Sequence, residues 1–399
     1  MLFSLTGGCA SLPPQFNLAE YLSPTTPQPP AQTVPETQPA PTPIVETRPA
    51  APHETIIDTP VVAQPLPEAP PRETGHIALL LPLKSTAFAA AAEAVRDGFK
   101  AAAREPGATA NLPIRHYPTT DQVEDIVAAY RNALQQGARL VVGPLTRNAV
   151  AALAASDFIS VPTLALNTPE SEQASPENLY LFSLSVEAES RQVARLAFIY
   201  GARKAVSIAA VTPLAKRAQQ AFLDEWQKLG GEVIGQVPLP QWKEGYGVLT
   251  AAIAPLSADM YFLAADAEKS LLARPYLNQG IPVYATSQSF SGKSQQYKSG
   301  GLNDVRFVDM PWLVQPDHPA VMVYPHATLA TPDLERLYAF GIDAFRLGKA
   351  LLNSPLPNEF MLDGVTGKIT LKEGSTSFLR ESIPAQFQQG KLLLDPAPR

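Results

Sequence analysis

The chain has 399 residues, 45% of them apolar, enough for two compact lobes and a tail. Its net charge of -6 is uneven: residues 10–74 hold seven acids and two bases, leaving the remainder at 29 bases against 30 acids. A head so close to neutral carries no electrostatic footprint for nucleic acid, and no apolar run approaches the roughly 18 residues that a membrane helix needs.

In chain order, the first segment runs apolar and then small, Met1-Leu2-Phe3-Ser4-Leu5-Thr6-Gly7-Gly8-Cys9, and ends in the only cysteine. A single cysteine makes no internal disulfide. Small residues before a cysteine suit a peptidase that cleaves a narrow extended segment. The segment resembles the bacterial lipobox, and that resemblance implies lipidation of Cys9 and anchoring to a membrane. Thr6 stands where the lipobox has leucine, with Leu5 one place further back. The charged n-region of a signal peptide is missing, so the true start is expected upstream of Met1.

Residues 10–74 read as a disordered linker. Fifteen prolines fall in the fifty residues 23–72. Proline fixes φ and removes a backbone donor, so the segment is expected to be extended and solvated, with a reach on the order of 150 Å. A spacer carrying the head past the cell-wall layer is the functional expectation.

From residue 75 the pattern alternates. The run 77–83 is continuously apolar, as a parallel strand buried on both faces must be. Helical patterns are predicted at 87–103, 122–136 and 148–155, strands at 113–117, 139–143, 161–166 and 179–184. A second round follows: helices at 187–200, 215–229, 248–256 and 270–278, strands at 205–211, 232–238, 260–264, 282–285 and 306–309. Two rounds of βα alternation predict an α/β fold of two doubly wound parallel-sheet lobes with helices on both faces. A helix at 334–352 buries one stripe (Leu337, Phe340, Ala344, Leu347, Leu351). The tail 364–394 reads as β-hairpins, with turn residues Gly364-Val365-Thr366-Gly367.

Several motifs of the head are Ile77-Ala78-Leu79-Leu80-Leu81-Pro82-Leu83, Val95-Arg96-Asp97-Gly98-Phe99 and Val141-Val142-Gly143-Pro144-Leu145. They continue with Pro162-Thr163-Leu164-Ala165-Leu166-Asn167, Pro282-Val283-Tyr284-Ala285-Thr286-Ser287, Asp309-Met310-Pro311-Trp312-Leu313 and Gly341-Ile342-Asp343-Ala344. In this order they resemble the penicillin-binding protein activator lipoproteins (the LpoA/LppC family), whose head has the type I periplasmic-binding-protein fold. The resemblance implies three crossings between lobes, near Ser185, Gln315 and Pro355. Lobe 1 is then about 75–184 and 317–355, and lobe 2 about 185–316 and 356–399. It also implies an outer-membrane lipoprotein, facing the periplasm, that binds and activates a class A penicillin-binding protein and so regulates peptidoglycan synthesis. Well-known members carry a helical-repeat domain before this head; here the proline-rich segment stands in that place.

No catalytic motif emerges. The five histidines (His53, His76, His116, His318, His326) lack the spacing of a zinc site. Gly292-Lys293-Ser294 lacks the earlier glycine of a phosphate-binding loop, and G-x-S-x-G, S-x-x-K and K-T-G are absent. The expectation is a regulator without cofactor, metal or nucleic acid. Open α/β sheets bind ligands outside the carboxyl ends of their strands, which here places Lys84, Ser85, Asp121, Pro144, Leu145, Thr146, Asn167, Thr168, Ser287 and Gln288 in a candidate interlobe cleft. Short hydroxyls and amides there equally serve as caps of the following helices. Trp312, beside a crossing, reads either as an exposed anchor for a protein partner or as hinge packing. The alternative function is a lipid-anchored receptor that closes on a small polar solute.

Overall fold

The computed structural model describes residues 75–106, 112–169, 176–292, 301–326, 329–353 and 356–395. Cys9 and the proline-rich segment lie outside the described residues. The first sheet is built from β1 (His76–Leu81), α1 (Ala89–Ala103), β2 (Ile114–Pro118), α2 (Val123–Gln135), β3 (Ala138–Val142), α3 (Arg147–Ala154), β4 (Thr163–Ala165) and β5 (Leu179–Leu181). Its order is β2-β1-β3-β4-β5, all parallel. Every residue of β1 is buried, which explains its unbroken apolar run.

The chain then enters a second sheet through α4 (Val186–Ile199), β6 (Lys204–Ala209), α5 (Pro213–Lys228), β7 (Glu232–Pro238), α6 (Tyr246–Ile253), β8 (Met260–Ala264), α7 (Ala267–Ala273), β9 (Val283–Ala285) and β10 (Val305–Asp309). Two short helices follow, α8 (Pro311–Val314) and α9 (Pro319–Met322), and then the long α10 (Pro332–Leu352). Five more strands close the fold: β11 (Phe360–Asp363), β12 (Lys368–Leu371), β13 (Leu379–Glu381), β14 (Ile383–Gln388) and β15 (Lys391–Leu394). β11, β12 and β13 form a small antiparallel sheet. The last hairpin adds antiparallel to β10, giving the order β15-β14-β10-β9-β8-β6-β7. Phe387 of β14 stacks on Phe307 of β10 at 5.0 Å, which fixes that edge.

α10 starts where Thr331 caps Leu334 and Pro332 presets the first turn. It returns to the first sheet and lies against α1. The two helices meet backbone to backbone: a Cβ on Gly98 would fall 1.9 Å from the Tyr338 carbonyl oxygen, and one on Gly341 would fall 2.1 Å from that of Val95. Phe99 meets Phe345 edge to face at 5.2 Å beside this crossing. The apolar stripe of α10 is wholly buried. Among the described residues no helix is long and apolar enough to cross a membrane.

Candidate functional site

The carboxyl ends of the strands meet the connections between the sheets, and some of their polar groups are engaged within the fold, while the buried Thr146 hydroxyl has no hydrogen-bond partner among the described residues. Ser85 Oγ accepts from the Ala87 and Phe88 amides and shapes the entry to α1. Asn167, buried, donates to the Leu145 carbonyl and accepts from the Thr168 amide, clamping two adjacent loops. The Ser287 amide donates to Glu189 Oε2, and the Ser287 carbonyl accepts from Arg336. Pro144, Leu145 and Thr146 are buried in the turn after β3, while Asp121 and Gln288 are half-buried. That turn depends on Gly143, at φ +113, whose Cβ would fall 1.9 Å from the Leu80 carbonyl oxygen.

Two cavities are described. One, of about 600 Å³, lies along β2 and α2 and is lined by Lys84, Arg115, His116 and Asp125. The other, of about 900 Å³, includes Thr168 and lies beside α4 and the β12–β13 hairpin. Neither is lined by Ser85, Asp121, Pro144, Leu145, Thr146, Asn167, Ser287 or Gln288. Of the strand-end groups, Ser85, Asn167 and the Ser287 backbone brace loops and the link between the sheets.

What does converge is a belt of buried charge that the chain pattern did not reveal. Arg336 of α10 reaches the end of β10 and pairs with Asp309 at 2.6 Å, both side chains nearly inaccessible. The same guanidinium donates to Asp333 at 2.7 Å and to the Ser287 and Phe290 carbonyls. Burial alone would lower its pKa; Asp309 and Asp333 outweigh that and hold it above the ordinary arginine value. Next along the belt, Glu189 of α4 pairs with Arg380 of β13 at 2.6 Å, and Arg380 also donates to the Thr366 carbonyl and Ser382 Oγ. Gln192 and Ser382 exchange two hydrogen bonds. Asp343 of α10 accepts from the Val365 and Thr366 amides and the Thr366 hydroxyl, anchoring the β11–β12 turn.

A second link joins the sheets at the start of α4. Glu187 accepts from Arg147, at the head of α3, at 3.2 Å and pairs with Arg217 of α5 at 3.0 Å. Burial pushes its carboxyl up, but the two guanidinium groups and the Ser185 hydroxyl more than offset this and leave it below the usual carboxylate value.

Trp312 is not the exposed anchor that one reading of the sequence offered. Only 2% exposed, it lies in α8 and stacks on His326 at 4.3 Å and against Tyr338 at 5.5 Å. Its amide donates to the Val365 carbonyl. Tucked between α10 and the β11–β12 turn, the indole packs the hinge and presents no surface to a partner.

Residues 49–237 and 245–390 match the family described as "LppC putative lipoprotein". The chain belongs to the LppC family. Among curated proteins, this LppC chain is 29% identical over 325 residues to the "Penicillin-binding protein activator LpoA" of Edwardsiella piscicida, covering 70% of the chain and 46% of the relative. It is 27% identical over 406 residues to the protein of the same name from Yersinia pseudotuberculosis, covering 80% and 61%. The chain therefore spans about half to three-fifths of the length of these relatives. A solved structure from Chromobacterium violaceum, named a "putative branched-chain amino acid ABC transporter", is 36% identical with a TM-score of 0.66, covering 78% of this chain and all of that one. The LpoA C-domain from Haemophilus influenzae, described as a regulator of PBP1A, is 22% identical with a TM-score of 0.68, covering 81% and 100%. The fold is thus two α/β lobes of the periplasmic-binding-protein kind, shared by the LpoA C-domain and by transport proteins.

Proposed function

We propose that this LppC protein is a non-enzymatic regulator of peptidoglycan synthesis. It is anchored through Cys9 to the outer membrane on its periplasmic side, and its head docks on a class A penicillin-binding protein and raises peptide cross-linking. The observation that carries this reading is the family match together with relatives named as penicillin-binding protein activators. A docked head activates by binding the active conformation of the synthase more tightly than the inactive one, since only differential affinity shifts a conformational equilibrium. The proline-rich segment keeps the head at high effective concentration near the wall.

The test is a cross-linking assay in which the purified full chain is added to class A penicillin-binding proteins of the same organism. A faster rate of peptide cross-linking is expected. An unchanged rate with folded protein overturns the proposal. The likeness to the Chromobacterium violaceum structure supports one second reading, a lipid-anchored receptor for a small polar solute. A receptor shows ligand-dependent thermal stabilisation; a regulator binds its enzyme without a ligand.

A further inference from the structure

The 900 Å³ groove differs from the rest of the molecule in its charge. It is bounded by the β4 and β5 ends, by α4 and the last turn of α5, and by the β12–β13 hairpin. Five cations line it, against one acid, Glu381. Arg195 is paired with Glu225 at 2.7 Å, and Arg380 with the buried Glu189. Arg191, Lys228 and Lys368 have no ion-pair partner among the described residues. The Arg380 side chain is 4% exposed, and its buried Nε carries no hydrogen bond among the described residues. Held by Glu189, the Thr366 carbonyl and Ser382, the Arg380 guanidinium adds fixed positive charge beneath the groove.

The three unpaired cations come from three separate elements, α4, the end of α5 and the start of β12. Such a spread suits several separated carboxylates better than one compact phosphate. Between them lie hydroxyls, including Ser183, Thr370 and Ser377, which suit neutral sugar or amide groups. The volume lies in the range of small-molecule sites and is concave, which favours a short ligand over the broad face of a protein. Concave walls of one charge also concentrate anions from solution.

We propose that this groove binds a short peptide bearing several free carboxylates and joined to a hydroxyl-rich amino sugar, the chemistry of an uncross-linked peptidoglycan strand. The choice of ligand rests on the regulator reading above; the anionic character of the site rests on the groove itself. Arg191, Lys228 and Lys368 hold the carboxylates, and the buried Arg380 adds positive charge from beneath. The protein would then sense, at the junction of its two sheets, the material that its partner cross-links.

The test is calorimetric titration of the full chain with muropeptides released from peptidoglycan by a muramidase, without synthase. Neutral oligomers of N-acetylglucosamine and free citrate serve as the comparison ligands. Muropeptide binding is expected, weakening as salt rises and falling about tenfold or more in the Arg191→Gln/Lys368→Gln double variant, because two charge-assisted hydrogen bonds are lost. The neutral oligomers should not bind. Neither replaced side chain makes an ion pair among the described residues, so the variant should melt like the parent; Lys228→Gln alone gives a second, smaller step. The proposal is overturned if muropeptides do not bind, if the variant binds equally, if citrate binds as tightly, or if the variant loses synthase binding while keeping muropeptide binding. Cross-linking is read separately: muropeptide binding without activation sinks the regulator reading alone, and activation without muropeptide binding sinks the groove proposal alone.

Discussion

The hinge belt and the groove beside it share elements yet treat charge in opposite ways. In the belt, Arg336 faces two carboxylates and two carbonyls, and Glu189 faces Arg380 and a backbone amide. In the groove, about half a helical turn from Glu189, Arg191 forms no ion pair among the described residues, nor do Lys228 and Lys368. Charge buried with partners fixes geometry, and charge held open on a concave wall is available to a ligand. The difference separates the part of the molecule that holds its shape from the part free to recognise something.

The largest break in that comparison comes from removing a belt arginine. Arg336→Met strands Asp309 in the interior and should cost about 3–5 kcal/mol, read as a lower denaturant midpoint. Replacing both partners, Arg336→Met with Asp309→Leu, should recover much of the loss, because no buried charge is then left alone. If the double variant is no better than the single one, the arginine's bonds to the Ser287 and Phe290 carbonyls, not the ion pair, hold the hinge.

Much of the fold was legible because its physics is local. The apolar run of β1, the stripe of α10 and the glycine turns after the helices each follow from period and conformational preference. The motifs Val95-Arg96-Asp97-Gly98-Phe99 and Gly341-Ile342-Asp343-Ala344 were visible one by one, but nothing in the chain says that Gly98 and Gly341 face the same crossing. The belt was illegible for a related reason. Arg336 on an amphipathic helix reads as solvated surface, and its partner Asp309 arrives from a distant strand end. The strand-end serines and asparagines carried two meanings, cap or ligand contact, and Ser85 and Asn167 turned out to brace loops, a third role that neither reading named. Trp312 was ambiguous between anchor and packing until α8 was seen beneath α10.

A middle-sized effect is expected at the second link. Glu187→Gln weakens the bonds to Arg147 and Arg217 and should cost about 1–3 kcal/mol near neutral pH. The sign of its pH dependence follows from the depressed carboxyl. The folded state holds the proton less tightly than the unfolded chain, so the stabilisation is complete above the ordinary glutamate value of about 4.3 and disappears as pH falls through the folded value. Denaturation midpoints of parent and variant should therefore converge on acidification. A gap that stays constant would mean that the glutamate side chain acts through packing and not through its charge.

The smallest effect on stability belongs to the groove, and its smallness is the point. Arg191→Gln and Lys228→Gln remove charges that no described residue balances, so the denaturation midpoint should move by no more than about 0.5 kcal/mol, and an upward shift from relieved repulsion fits equally well. The same substitutions in the belt would unfold or loosen the hinge. If Arg191→Gln instead destabilises the chain by as much as Glu187→Gln, Arg191 belongs with the belt, and the contrast between structural and available charge fails at the place where it matters most.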